Sequence, residues 1–196
     1  MKHVLLLLTV LVSAIPLQAT VWQVGVSRQY TMPSQVSSLV KNNDTVEIDA
    51  GTYHEDVAHW TANNLLLQGV GGMAYLKSNG KSFGQKAIWV IGGANTRVAF
   101  IEFAECAVPD RNGAGIRLEA ANLTVHGCYF HDNEDGILAG DNPESDILIE
   151  YSEFSHNGNG DGQSHNLYIN HVHSLTFQYN YSHHTKVGHE LKSRAY

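Results

Sequence analysis

The sequence lacks the features that identify several common classes of protein. Beyond residue 15, no apolar run approaches the roughly 18 residues that a transmembrane helix needs. No basic stretch is interleaved with aromatic residues, and the formal net charge is −7 at pH 7. The 12 histidines show no zinc-ligand spacing, and the glycine-rich run at 158–162 lacks a phosphate-binding pattern. We therefore expect no membrane span beyond that point, no nucleic-acid partner and no zinc site.

From residue 64 onward the chain repeats itself. Each repeat opens with a polar residue followed by a short apolar strand, and the opening residues are Asn64, Asn95, Asn122, Asp146 and Ser174. An aromatic residue recurs eight positions later, at Phe103, Phe130 and Phe154, and Tyr181 lies close to the same slot in the last repeat. A second apolar strand follows in each repeat, over 87–90, 115–118, 136–139, 166–169 and 190–193.

The length of these repeats favours one architecture. Successive repeats start 24 to 31 residues apart, and none has room for a helix. Self-similarity on this scale indicates a solenoid, in which no unit can bury its apolar face alone. The sequence therefore predicts an all-β, single-stranded parallel β-helix whose rungs occupy 64–196.

The N-terminal residues have the pattern of a secretory signal over 1–19. A short positive start at Lys2 precedes an apolar stretch over 4–15, and Ala19 offers a small residue at the cleavage site. We therefore expect an exported protein, either secreted or periplasmic, with no membrane span after cleavage.

Residues 20–63 are expected to form the N-terminal cap and the first strand. Val36, Leu39 and Val40 fall on one helical face, which predicts a short capping helix over 35–41 with Ser34 as its N-cap. Such a helix would cover the open end of a solenoid, where backbone and apolar core are otherwise exposed. Alternating apolar and polar residues over 44–53 predict the first strand.

The two cysteines occupy different offsets in consecutive repeats. A ladder-like pairing of Cys106 with Cys128 is therefore not implied. We expect two buried thiols rather than a disulfide, even in an oxidising compartment.

The run 43–53, the asparagine- and aspartate-led strands and the phenylalanine-containing turns resemble the pectin-lyase-like right-handed parallel β-helix superfamily. The resemblance covers nearly all of the chain after residue 19, and the run 164–194 is similar to exported bacterial right-handed β-helix repeat proteins. It implies a right-handed solenoid and a carbohydrate-related function, because the superfamily is rich in polysaccharide lyases, hydrolases and uronan epimerases. The superfamily also contains adhesins and proteins without known activity.

The resemblance also concerns the end of the chain. The sequence reaches Tyr196 inside or directly after a strand, without a closing cap. Related proteins continue with further rungs, so we expect a truncated product. If native as it stands, the protein is expected to be a monomer or to associate end to end.

Alternation within the second strands predicts which side chains face outward. If Ile116, Ile137, Leu167 and Leu191 stack inward, an outward column follows, made of Arg117, Leu138, Tyr168 and Lys192. Rungs about 4.8 Å apart would then gather one exposed patch from the last two repeats. The predicted patch contains Asn166, Tyr168, Asn170, Glu190, Lys192 and Arg194, with His165, His184 and His189 on flanking turns.

The predicted patch suits chemistry on uronic acids. Uronan lyases and epimerases neutralise the substrate carboxylate and remove the neighbouring C5 proton. Arg194 is the candidate clamp for the carboxylate, and Lys192 or Tyr168 is the candidate base. The candidate substrate-binding residues are Asn166, Asn170, His165, His184 and His189.

Calcium is the one cofactor that the patch suggests. Asn166 and Glu190 could offer oxygens to Ca²⁺, and the run 190–193 resembles a strand of the calcium-dependent chondroitinase and alginate lyase family, although its spacing differs. The acidic run 132–135 is interpreted first as Asx turns and only second as a calcium site.

Three functions remain open at this point. The leading one is an exported carbohydrate-active protein that binds an acidic polysaccharide, as a uronan lyase or C5-epimerase. The alternative is a non-catalytic surface or adhesion module, because mixed polar ladders are also typical of a solvated β-helix face. A glycoside hydrolase is third, since it needs two carboxylates about 5–10 Å apart and the patch contributes only Glu190.

Overall fold

The chain forms a parallel β-solenoid of six turns. The structure, a computed structural model, describes residues 19–196, so the predicted secretory signal lies outside the described residues except for Ala19. The strands are β1 Val21–Val24, β2 Thr45–His54, β3 Ala58–Trp60, β4 Leu66–Lys77, β5 Ala87–Ile91, β6 Thr96–Ala99, β7 Ile101–Ala104, β8 Ala114–Leu118, β9 Leu123–His126, β10 Tyr129–His131, β11 Asp135–Ala139, β12 Asn142–Glu150, β13 Glu153–Ser155, β14 Leu167–Ile169, β15 Val172–Gln178, β16 Tyr181–His183 and β17 Lys192–Ser193. One helix, α1 Ser34–Ser37, precedes β2.

Two parallel sheets run along the solenoid. The larger has the order β15-β12-β9-β6-β4-β7-β10-β13-β16, with β2 pairing β4 and β1 pairing β2. The smaller has the order β17-β14-β11-β8-β5-β3. Each strand pairs with its counterpart one turn away, so the all-β solenoid predicted from the repeats is confirmed.

The polar residues that open the repeats form a ladder at one corner. Asn64, Asn95 and Asn122 each donate a side-chain N–H to the side-chain oxygen of the asparagine one turn earlier, at 2.8 to 2.9 Å. The first acceptor is Asn43, and all four residues have left-handed backbone with φ from 58° to 73°. Asparagine tolerates this conformation better than most residues, which explains why it opens the repeats.

The core is an aromatic stack along the axis. The rings of Phe103, Phe130 and Phe154 lie face to face with centroids 4.9 Å apart. In the last turn Ser182 pairs with Phe154 and occupies this slot, so Tyr181 lies next to the slot, as predicted, but does not fill it. The slot is eight residues after the repeat start, whereas Tyr181 is seven after Ser174 and faces solvent.

The N-terminal segment differs from the prediction in detail. The helix spans four residues rather than 35–41, and its N-cap is Pro33 rather than Ser34. Ser34 instead donates its backbone N–H to the Asp56 carboxylate at 3.1 Å. Strand β1 precedes the predicted first strand, and β2 and β3 already pair in register with β4 and β5, so the solenoid begins within 20–63.

Both cysteines are buried free thiols, as predicted. Cys106 and Cys128 are each 1% exposed, and burial raises the pKa of each thiol to about 12. Such thiols are protonated at neutral pH and have little nucleophilic character. Within residues 19–196, no helix has the length and apolar character of a membrane span.

Candidate functional site

The predicted outward column exists on the outer face of the smaller sheet. Arg117 pairs in register with Leu138, Leu138 with Tyr168, and Tyr168 with Lys192. Val90 continues the column one turn earlier and is buried, whereas Lys192 is exposed. The register predicted from the repeat offsets is therefore confirmed, and we call these four residues, Arg117 to Lys192, the outer column.

In β5 the inward–outward alternation of side chains fails at the two positions that precede Val90. Ile88 and Trp89 are adjacent, yet both lie in the main core. A side chain at Gly115, the counterpart of Ile88, would put its Cβ 2.8 Å from the Phe130 ring inside the solenoid. Asn166 is the corresponding residue of β14's turn and is fully buried, so the prediction that it faces outward is wrong.

Asn166 serves the interior rather than the surface. Its side-chain oxygen accepts hydrogen bonds from the backbone and side-chain N–H groups of Asn157, at 3.3 and 2.9 Å. Its amide nitrogen donates to Phe154 O and to Glu190 Oε2, at 3.2 and 2.5 Å. Because the amide presents N–H to Glu190, these two residues do not form the predicted oxygen pair for Ca²⁺, and residues 19–196 contain no other cluster suited to a metal.

The break in alternation turns a second column outward. Asp135 pairs in register with Ala114, which pairs with Ala87, and these residues pack outside the main core. Asp135 therefore belongs to a strand rather than to the predicted Asx turn. The repeat offset places His165 and then His189 after it, and the His165 backbone N–H donates to Asp135 Oδ1 at 2.8 Å.

Asp135 is the titratable group that sequence reasoning missed. Its side chain is 2% exposed, and burial raises the pKa of its carboxyl to about 7. The hydrogen bond from His165 lowers this pKa, while the charges of Glu134 and Asp161 raise it further. A carboxyl group poised near neutrality can both donate and accept a proton, which is the property that acid–base catalysis requires. The aligned Ala87 and Ala114 were the signal that this position faces outward.

His165 follows Asp135 in the second column and is fully buried. Its Nδ1 accepts the backbone N–H of His189 at 3.2 Å, so the neutral ring carries its proton on Nε2. That Nε2 is buried without a hydrogen-bond partner among the described residues. Burial lowers the pKa of His165, and the charges of Lys192 and His189 lower it further. The ring is thus a neutral hydrogen-bond donor, with its centroid 6.1 Å from that of Tyr168.

Tyr168 and Lys192 form the accessible part of the site. The Lys192 ammonium lies 5.0 Å from the centre of the Tyr168 ring, within cation–π range. The Tyr168 hydroxyl donates to Asn170 Oδ1 at 3.3 Å. Arg194 continues the strand pairing through its backbone N–H to Ile169 O at 2.9 Å, and its side chain is exposed. The structure therefore brings together four predicted residues of the patch, Tyr168, Asn170, Lys192 and Arg194.

Positive charge on this face is not neutralised. Arg117, Lys192 and Arg194 form no ion pair with any residue that the structure describes, whereas Lys86 on the same sheet pairs with Glu119. Arg117 Nε is also buried without a hydrogen-bond partner among these residues. Cations left without counterions on one face favour an anionic ligand.

The remaining predicted residues lie elsewhere. His184 follows β16 of the larger sheet, where its ring stacks on His156 at 5.3 Å and contacts His183. His189 is near the site, because its ring centroid lies 5.0 Å from that of His165. Glu190 is occupied by Asn166 and by the Thr185 hydroxyl, which donates to it at 2.8 Å.

A cavity of about 400 Å³ on the larger sheet offers different chemistry. It lies over β6, β9, β12 and β15, and the one ionisable residue among those that line it is Asp146. Hydrogen bonds from Ser174 and His173 lower the pKa of this carboxyl below its usual value. Asp146 therefore stays charged near neutrality and is poorly suited to proton transfer, so the smaller sheet carries the better candidate site.

Comparison with known proteins identifies the architecture. A family model described as "Right handed beta helix region" matches residues 50–194, about three quarters of the chain. No curated protein and no solved structure matches this chain. The match covers both columns of the smaller sheet, and it agrees with the right-handed winding that the resemblance implied.

Proposed function

Because the chain belongs to the right-handed beta helix family, we propose that it is an exported carbohydrate-active protein that binds an acidic polysaccharide on the outer face of its smaller sheet. The observation that carries this proposal is the group of three cations, Arg117, Lys192 and Arg194, that form no ion pair within residues 19–196, on a sheet that also carries a buried carboxyl whose pKa is about 7. The pattern of residues 1–19 supports export to the periplasm or beyond the cell.

The cations bind the carboxylate of the sugar and make its C5 proton more acidic. A uronate carboxylate paired with Arg194 or Lys192 loses part of its negative charge, which makes the neighbouring C5–H more acidic. Arg117 lies three turns before Lys192 along the outer column, so it meets a different sugar of the same chain. A polymer running along the solenoid would contact cations over several turns.

Proton transfer requires one base and one acid. The base takes the C5 proton and must itself be deprotonated first, as the free amine of Lys192 or the phenolate of Tyr168; when Lys192 is the base, Arg194 holds the carboxylate. In β-elimination the C4–O bond then breaks, a C4=C5 double bond forms, and the departing oxygen takes a proton from an acid. Asp135 is about half protonated at neutral pH and is the candidate acid that supplies that proton. Its carboxylate also accepts the His165 backbone N–H. In epimerisation the proton instead returns to C5 from the opposite face, and no bond between sugars breaks.

Turnover of uronans tests this function. The protein is incubated with alginate, pectate or chondroitin, and ultraviolet absorbance reports the conjugated double bond that elimination creates. Epimerisation leaves no double bond, so it is followed by the uptake of solvent deuterium at C5. Lys192→Ala is expected to abolish turnover, because it removes one candidate base and one carboxylate partner.

A matched variant separates function from folding. Lys81→Ala removes an exposed lysine outside the site and should keep full activity. Circular dichroism should be the same for both variants. The absence of elimination, of deuterium uptake and of binding on every uronan would contradict the proposal.

A binding module is the second candidate, and one observation favours it. Asp135 and His165 are both buried, so a polysaccharide would meet only Tyr168, Lys192 and the arginines without rearrangement. In that case alginate binds without turnover, and Lys192→Ala weakens binding. A glycoside hydrolase has less support, because the Glu134 carboxylate beside Asp135 is occupied by the backbone N–H groups of Val108 and Gly113, at 2.9 and 2.8 Å.

A further inference from the structure

A groove on the larger sheet has no role in the function proposed above. It lies between the strands β10, β13 and β16 and the corner that precedes them, and it encloses about 290 Å³. Its walls carry Met73, Tyr129, Tyr151, Glu153, Tyr179 and Tyr181. We call it the aromatic groove.

The tyrosines at the corner, Tyr151 and Tyr179, lie outside the core and stack on each other with ring centroids 5.0 Å apart. Tyr151 and Tyr179 are 56% and 71% exposed, so they contribute little to the core. Both have left-handed backbone, with φ of 52° and 56°, which is unfavourable for a bulky residue. The matching position of an earlier turn is Gly127, which adopts the same conformation without strain. Strain kept at exposed aromatic residues is a reason to look for a ligand.

The wall of the groove alternates along the axis. Five residues stand in register on successive turns, in the order Tyr75, Glu102, Tyr129, Glu153 and Tyr181, and the last three of them line the groove. Because turns are about 4.8 Å apart, a tyrosine recurs about every 9.6 Å. Two sugars of an extended, diequatorially 1,4-linked chain span nearly the same length, so every second sugar could meet an equivalent tyrosine.

The charges in the groove exclude a polyanion as the natural occupant. No lysine or arginine lines it, and Glu153 is on its wall. The Glu153 carboxylate is a hydrogen-bond acceptor, paired on one side with His183 Nε2 at 3.0 Å. Aromatic rings contact the C–H faces of neutral sugars, and carboxylates accept hydrogen bonds from their hydroxyl groups.

From these observations we propose that the aromatic groove binds a neutral, β-1,4-linked glucan or mannan chain that lies along the solenoid axis. This site is on a different sheet from Lys192 and Arg194, and it does not depend on the function proposed for them. The protein would then hold a neutral chain on one side and an acidic chain on the other.

Calorimetric titration of the protein with cellohexaose and mannohexaose tests the proposal. At least one hexaose should bind with a Kd below about 1 mM, and more tightly than its disaccharide, because the longer chain spans several turns. The double variant Tyr151→Ala/Tyr179→Ala should weaken binding about 10-fold or more, since two exposed rings are lost. The folded state should survive, because both side chains are mostly exposed.

Two controls make the result specific. Tyr196→Ala removes another exposed tyrosine outside the groove and should leave binding unchanged. Lys192→Ala should also leave it unchanged, which separates this site from the one on the smaller sheet. The proposal is overturned if neither hexaose binds at millimolar concentration, if the double variant binds as tightly as the wild type, or if an oligomannuronate displaces the neutral sugar from the groove.

Discussion

The outer faces of the two sheets use the same geometry for opposite electrostatic arrangements. On the larger sheet, carboxylates have hydrogen-bond partners across turns: Glu102 bonds to His131 and Glu153 to His183, each at 3.0 Å. On the smaller sheet, Arg117 and Lys192 have no such partner among the described residues. On both faces, equivalent positions recur once per turn of the solenoid, so the fold alone does not distinguish the two faces. The difference shows that the residues placed on each ladder, rather than the solenoid itself, decide which face can hold an anion.

The two faces also differ in what lies beneath them. Under the smaller sheet's outer face, Asp135 and His165 are buried titratable groups with shifted pKa values. In the aromatic groove, by contrast, the titratable wall residue Glu153 is only partly buried and is already paired. Substitutions on the first face should therefore change chemistry, and substitutions on the second should change stability or sugar binding.

The largest effect is expected at Tyr168. Tyr168→Phe removes a hydroxyl that is placed to transfer a proton beside Lys192, and turnover on a uronan should fall about 10²–10⁴-fold. The lost hydrogen bond to Asn170 is long, at 3.3 Å, so the free energy of unfolding should change by no more than about 0.5 kcal/mol. Initial rates and urea unfolding are measured on the same preparation. Unchanged rates would remove Tyr168 from the mechanism.

Asp135→Asn should have the next largest effect, on stability. The folded carboxyl has a pKa of about 7, against about 3.9 in an unfolded chain, so the folded state loses stability as the pH rises from about 4 through 7. Asparagine keeps an acceptor for the His165 N–H but never ionises. The variant should be more stable than the wild type at pH 8, by up to about 4 kcal/mol, and nearly equal at pH 4. Urea unfolding at pH 4 and at pH 8 measures the difference in stability between the variant and the wild type. The prediction is contradicted if that difference is the same at both pH values.

Much of this comparison could be predicted from sequence because a solenoid converts sequence offsets into positions. The repeat starts at Asn95, Asn122 and Asp146 fix the register, and the outer column with Tyr168 and Lys192 follows from counting. Each strand contributes so few residues that an error of one position would have moved the whole column. The aromatic slot at Phe130 and Phe154 supplies an independent check on that count.

The buried half of the site could not be predicted in the same way. Strict alternation assigns Asn166 to the outside. In the second strand of a repeat, however, two consecutive positions face the core, as Ile88 and Trp89 do in β5. That break depends on how the corner before the strand bends, and no single repeat reveals it. It moves Asn166 inside and brings Asp135 and His165, which are both buried, to the outer side of the smaller sheet. The pKa of Asp135 follows from that burial, which is a tertiary property.

A smaller effect is expected for Tyr129, a tyrosine on the larger sheet. Tyr129→Phe removes a 2.8 Å hydrogen bond to the buried Ser155 hydroxyl and should lower the free energy of unfolding by about 1 kcal/mol. Turnover on a uronan should not change. Ser155→Ala in the Tyr129→Phe background should cost little more, because the bond is already lost. Additive losses would mean that the two residues act separately.

The smallest effect concerns two histidines whose pKa values should move in opposite directions. A 2.8 Å hydrogen bond that the His173 ring donates to the Asp146 carboxylate raises the pKa of the exposed His173 above 6.5, whereas burial lowers that of His165 below it. His173 therefore adds stability that is present at low pH and is lost as the pH rises through its folded pKa, and His165 loses stability as the pH falls below its unfolded pKa. NMR titration of the ring protons measures both values in one experiment. Asp146→Asn should lower the pKa of His173 and leave that of His165 unchanged, because Asp146 is bonded to His173 and is not among the groups that shift the pKa of His165. If His165 titrates above His173, the contrast between the two faces is wrong.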